Sequence, residues 1–137
     1  MEKEFIPYTE ALELKALGFD EPCFGWFRST LIPSNFTEYF LETKFGMNES
    51  PSDWVNSNFL DKACSAPLYQ QAFRWFRDEH KLFGQVNVCT YFIYDMSNND
   101  GFHPTLKMIK EYDKLCNNYE ESELECLKKL IAIVKNK

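Results

Sequence analysis

The stretch SAPLYQQAFRWFRDEH, residues 65 to 80, constrains the fold more than any other part of the chain. Leu68, Tyr69, Ala72, Phe73 and Phe76 recur at helical spacing and make one apolar stripe, with Trp75 on its flank. Ser65 is placed to cap this helix and Pro67 suits a first turn. Gln70, Arg74, Arg77, Asp78 and Lys81 lie away from the stripe's centre, and Arg74 and Asp78 stand one turn apart as an ion pair. Rings and arginines that alternate along the sequence therefore separate in space, rings inward and arginines outward. So one-sided a helix must be covered by other elements.

The remaining patterns supply them. A helix is predicted over about Tyr8 to Leu17, with Thr9 as cap, Ala11, Leu12, Leu14 and Leu17 on its apolar side, and Gly18 as its stop. CFGWFRSTLI reads as a strand, Pro33-Ser34-Asn35 as a turn, and TEYFLETKF as a returning strand or a short helix. Residues 46 to 64 are the least regular part, and Trp54 within them is expected to tuck back onto the core.

Gly84 closes the region of the middle helix, and QVNVCTYFIYD alternates as one strand. Val86, Val88, Thr90, Phe92 and Tyr94 share one face, while Cys89, Tyr91 and Ile93 share the other. SNNDG is a turn. The segment 102 to 115 fits a helix begun at Pro104 or a strand completing a hairpin, and the strand is preferred.

In the last helix, Asn118 and Glu121 form a variant capping box, and Glu120, Glu121 and Glu123 place negative charge in the first turns. Leu124, Leu127, Ile131 and Val134, flanked by Leu130, form its apolar side. The order α-β-β-α-β-β-α predicts an α+β fold: an antiparallel sheet of about three to four strands with helices packed mainly on one face. At 137 residues the chain is expected to be a single globular domain, 1–137.

Fifteen basic against twenty-one acidic residues give a net charge of −6, which opposes general nucleic-acid binding and attraction to an anionic membrane. The longest uncharged run, LFGQVNVCTYFIY, is too short to span a bilayer, and MEKEFIPYTE lacks the pattern of a signal peptide. A cytoplasmic location is expected. The five cysteines form no CxxC pair, and with His80 and His103 they give no zinc spacing, so they read as free thiols and no metal or cofactor is expected. There is no phosphate-binding glycine loop, GxSxG elbow or HExxH motif, and no catalytic residue is assigned. His80 closes the middle helix, where the helix end would favour its charged form.

Two sets of side chains stand out as candidate sites. Arg28, Arg74 and Arg77 are the chain's three arginines and would clamp the phosphates of a nucleotide-like anion, with Trp26 stacking on its base. Trp54, in its irregular loop, is the candidate contact for a protein partner.

Three stretches, FIPYTEALELKALGFDEPCFGWF, SAPLYQQAFRWFRDEHKLFG and YEESELECLKKLIAIVKNK, cover nearly half of the chain. They resemble a family of small proteins encoded by phages and prophages. That resemblance implies a phage-related accessory protein acting inside a bacterial host cell, and it implies no activity, cofactor or site residue. The expectation is a non-enzymatic binding module for a host protein or for a second copy of itself. One alternative is sequestration of a nucleotide-like anion, and a second is a small hydrolase or nuclease.

Overall fold

A computed structural model describes residues 2–31, 37–43, 54–59, 62–97, 107–111 and 115–137. The fold class is α+β. The chain divides into two compact units, Met1–Leu68 and Tyr69–Lys137, each with its own antiparallel sheet.

In the first unit, helix α1 (Tyr8–Ala16) precedes strands β1 (Gly25–Leu31), β2 (Thr37–Thr43) and β3 (Cys64–Ala66), arranged in the order β2-β1-β3. Pro7, not Thr9, occupies the cap position of α1, and no side chain caps it. The Pro7 carbonyl accepts from Ala11 N at 2.9 Å, so Thr9 lies inside the first turn. The helix ends as its glycine implies. Gly18 takes φ +99°, its N–H donates to Lys15 O at 3.1 Å, and Phe19 N–H donates to Leu14 O at 3.0 Å. This pair of bonds is a Schellman motif, and Leu14 and Phe19, which hold the two positions of its hydrophobic pair, are both fully buried.

Side chains alternate across β1. Gly25 and Phe27 are buried, with the Phe27 ring meeting the edge of Tyr8 from α1 at 5.5 Å, while Trp26 and Arg28 take the opposite face. TEYFLETKF returns as a strand, β2, in register with β1 from Gly25↔Thr43 to Leu31↔Thr37. Gly25 is required by close packing: a Cβ there would lie 3.0 Å from Phe5 Cε1 and 3.1 Å from Leu41 Cδ1.

In the second unit, helix α2 (Tyr69–His80) leads into strands β4 (Leu82–Val86), β5 (Tyr91–Asp95) and β6 (Lys107–Glu111), and helix α3 (Tyr119–Lys135) closes the chain. The sheet order is β4-β5-β6. The α2 stripe is inward as predicted: Tyr69, Ala72, Trp75 and Phe76 are buried, Phe73 is half-buried, and Arg74 and Arg77 are exposed. Its chain reversal falls at Lys81, with φ +57°, three residues before Gly84. Asn118 caps α3 by accepting from Glu121 N at 2.8 Å, and Glu121 Oε2 accepts from Asn117 N at 3.0 Å. The buried face of α3 runs along Ser122, Cys126, Leu127, Leu130 and Ile131. Leu124 and Val134 are half-buried at its margins.

Several expectations are corrected. The single sheet is two sheets, because β3 closes a ladder on β1 just before α2 begins and a second ladder forms entirely after it. Ser65 is no helix cap: it pairs with Trp26 in the middle of β3 and is fully buried. QVNVCTYFIYD is no continuous strand. Asn87 N–H donates to Thr90 O at 2.7 Å, the chain reverses over 87–90, and the alternation counted across that turn spans two antiparallel strands. The segment 107–111 is a strand, paired with β5 with a shift of register at Ile93/Tyr94. The turn at Pro33-Ser34-Asn35, most of the turn at 97–101, and His103 lie outside the described residues.

Candidate functional site

The outward face of the first unit's sheet is organised by a buried asparagine. Asn56 lies in a single 3-10 turn, Asn56–Asn58, and is 6% exposed. Its Nδ2 donates to Phe19 O at 2.6 Å, and its Oδ1 accepts from Ser65 N at 2.8 Å. Cys23 N–H donates to Trp54 O at 3.1 Å, and Ser57 N–H donates to Asp20 Oδ1 at 2.6 Å. Lys15 Nζ donates to Phe59 O at 3.0 Å and Ala63 O at 2.7 Å. These bonds tie the 54–59 segment to the turn after α1 and to β3.

The result is an aromatic cluster. Phe59 stacks on Trp26 with centroids 5.0 Å apart, and Trp54 meets Trp26 edge-on at 6.1 Å. All three rings are half-buried. Beside them Arg28 faces Glu42 across the strands at 3.8 Å, an exposed pair of small energetic consequence. Trp54 thus packs on the sheet as expected, and it does so on Trp26, the other tryptophan singled out from the sequence.

A second site lies in the other unit. A cleft of about 400 Å³ is lined by Gln70, Phe73, Arg74 and Arg77 of α2, Gly84 and Val86 of β4, and Tyr119 and Glu123 of α3. The four α2 residues follow the spacing i, i+3, i+4, i+7 and form a second stripe that shares Phe73 with the margin of the core. Gly84 faces the helices: a Cβ there would lie 3.0 Å from Cys126 Sγ and 3.2 Å from both Phe73 Cδ1 and Leu130 Cδ1. The Arg77 guanidinium carbon lies 5.9 Å from the centre of the Phe83 ring. Partial burial first, then the neighbouring Glu123, Cys126 and Glu120, push the Tyr119 phenol pKa up, so it is a hydrogen-bond donor at neutral pH.

The four residues assigned from sequence to one anion clamp therefore split. Arg74 and Arg77 share the cleft of the second unit, whereas Trp26 and Arg28 lie on β1 of the first. Tyr119 and Glu123 were not singled out as a site. Their i, i+4 spacing was the available signal, masked by reading the acidic first turns of α3 as capping alone.

The thiols and histidine have settled environments. All five cysteines are free; Cys23, Cys64, Cys116 and Cys126 are buried and Cys89 is half-buried. Burial pushes Cys64 and Cys126 up to about 12, so neither is a thiolate nucleophile at neutral pH. His80 departs from expectation: its ring packs 4.7 Å from Trp75 and 5.9 Å from Phe76, and burial, with Lys137 adding to it, lowers its pKa despite the helix end. Among the described residues no group of three or more His, Cys, Asp or Glu is placed to hold a metal ion, and no helix is long and apolar enough to cross a membrane.

Comparison with family models, with curated proteins and with solved structures finds no match to this chain. The functional argument rests on the residues themselves.

Proposed function

We propose that this chain is a non-enzymatic binding module, a phage-related accessory protein that engages a host protein in the bacterial cytoplasm. One observation carries the reading: Trp26, Trp54 and Phe59 interlock on an outward sheet face while each stays partly open to solvent. Large aromatic rings anchor protein interfaces, and rings already locked against one another lose little freedom on binding. The Arg28–Glu42 pair supplies a charged margin to the same face.

The test is affinity capture from a bacterial lysate with the wild-type chain and with Trp54→Ala, alongside sedimentation of both over a range of concentrations. The reading expects a specific protein retained by the wild type and lost from a folded Trp54→Ala variant. A concentration-dependent dimer abolished by the same substitution would make the partner a second copy of the chain. Identical captured proteins and identical sedimentation for both chains would remove the aromatic face from function.

A further inference from the structure

We infer that the cleft of the second unit is a binding site for a purine nucleotide, with its phosphate on Arg74 and Arg77 and its base toward Tyr119 and Glu123. The inference is independent of the aromatic face, which belongs to the other unit. Two of the chain's three arginines line this one cleft with one carboxylate, Glu123, so the lining is positive in a protein whose net charge is −6. Arg77 Nε also stands 3.9 Å from Asp78 Oδ1, an exposed pair that solvent weakens. The local reversal of sign in the lining is what a small anion requires. Guanidinium groups match phosphate oxygens with paired N–H donors.

The rest of the lining is suited to a base. Phe73 and Tyr119 line it with rings from the two helices, and Gly84, packed closely against Phe73, Cys126 and Leu130, lines it from β4. The volume, about 400 Å³, falls within the range of small-molecule sites. Glu123 would repel a simple dianion placed against it, yet it is an acceptor for ring and exocyclic N–H groups. Guanine offers two such donors on one edge and adenine one fewer, so Glu123 favours guanine. Gln70, one turn before Arg74, adds an uncharged donor and acceptor at the arginine end.

Isothermal titration of the full chain with GMP, AMP, guanosine and inorganic phosphate tests this at moderate salt. GMP is expected to bind more tightly than AMP, and both more tightly than guanosine or phosphate. Arg74→Gln and Arg77→Gln should each weaken GMP binding by about tenfold or more, the scale of a lost charge-assisted hydrogen bond. Glu123→Gln should erase the preference for GMP over AMP. Both arginines are exposed, so circular dichroism should report unchanged folding. Arg28→Gln, in the first unit, serves as control and should bind GMP like the wild type. No heat with either nucleotide, phosphate binding as tightly as GMP, or an Arg28→Gln loss equal to the other two would each overturn the assignment.

Discussion

The Phe59 ring lies parallel to the Trp26 indole, 5.0 Å away at an interplanar angle of 3°. One ring comes from a strand and the other from an irregular loop, so the stack reports whether that loop is seated. Phe59→Leu keeps apolar bulk but removes the π-face, and is expected to cost about 0.5–1.5 kcal/mol. Urea unfolding followed by tryptophan emission checks this, with a shifted native spectrum and a lowered midpoint. An unchanged spectrum and midpoint would mean the stack is not formed in solution.

Asn56 is the larger determinant of the same loop. Truncation to Ala would remove the bonds that its side chain makes to Phe19 O and Ser65 N in a buried setting. The expected loss is about 2–4 kcal/mol, from two buried hydrogen bonds to the backbone. Chemical denaturation measures it, and a loss under half a kilocalorie (~0.5 kcal/mol) would deny the asparagine its role.

Ser65 separates two readings of one residue. As a helix cap its loss would cost about 1 kcal/mol. In the fold its Oγ is buried, with no hydrogen-bond partner among the described residues. Ser65→Ala is therefore expected to leave stability unchanged or raise it by up to about 1 kcal/mol. The melting temperatures of the two chains decide between the readings.

Gly84→Ala places a methyl group 3.0 Å from Cys126 Sγ and 3.2 Å from the Phe73 ring. Overpacking of this kind costs about 1–3 kcal/mol. Because the tightest clash is with one sulfur, Gly84→Ala combined with Cys126→Ala should be less destabilised than the two single losses added together. Additive losses would place the strain elsewhere.

His80 makes stability depend on pH. Its folded pKa lies below the ordinary 6.5, chiefly because burial against Trp75 and Phe76 disfavours the charged ring. The unfolded chain therefore takes up this proton first. The contribution is fully present above pH 6.5 and is lost as pH falls from there toward the folded pKa. Urea midpoints at pH 7.5 and 5.5 should fall further for the wild type than for His80→Asn. Equal falls would show that other groups carry the acid sensitivity.

What was legible in the sequence was short in range. The Schellman stop at Gly18, the Asn118 cap and the α2 stripe are each completed within a few residues, where spacing alone defines the geometry. Asn56 was illegible because its partners, Phe19 and Ser65, are brought to it by the fold. Ser65 misled for a related reason: a cap residue before a proline looks the same whether the chain enters a helix at once or first spends three residues pairing with β1. The hairpin at 87–90 escaped because Val88, Cys89 and Thr90 are strand-forming types, and it is the Asn87–Thr90 bond and the pairing of β4 with β5 that reveal the reversal. The cleft was half legible. Arg74 and Arg77 stood out by rarity, whereas Tyr119 and Glu123 join them only through the packing of α3 beside α2.

The placement of the thiols turns the chain into its own clock. Cys89, half-buried at the hairpin reversal, is the one accessible to a thiol reagent in the folded protein. Of the four buried thiols, Cys23 and Cys64 belong to the first unit and Cys116 and Cys126 to the second. Each unit thus carries two silent reporters that become reactive only when that unit opens. Mass-resolved labelling over time would count one fast adduct and then date two openings separately, a record of cooperativity written without introducing a single substitution.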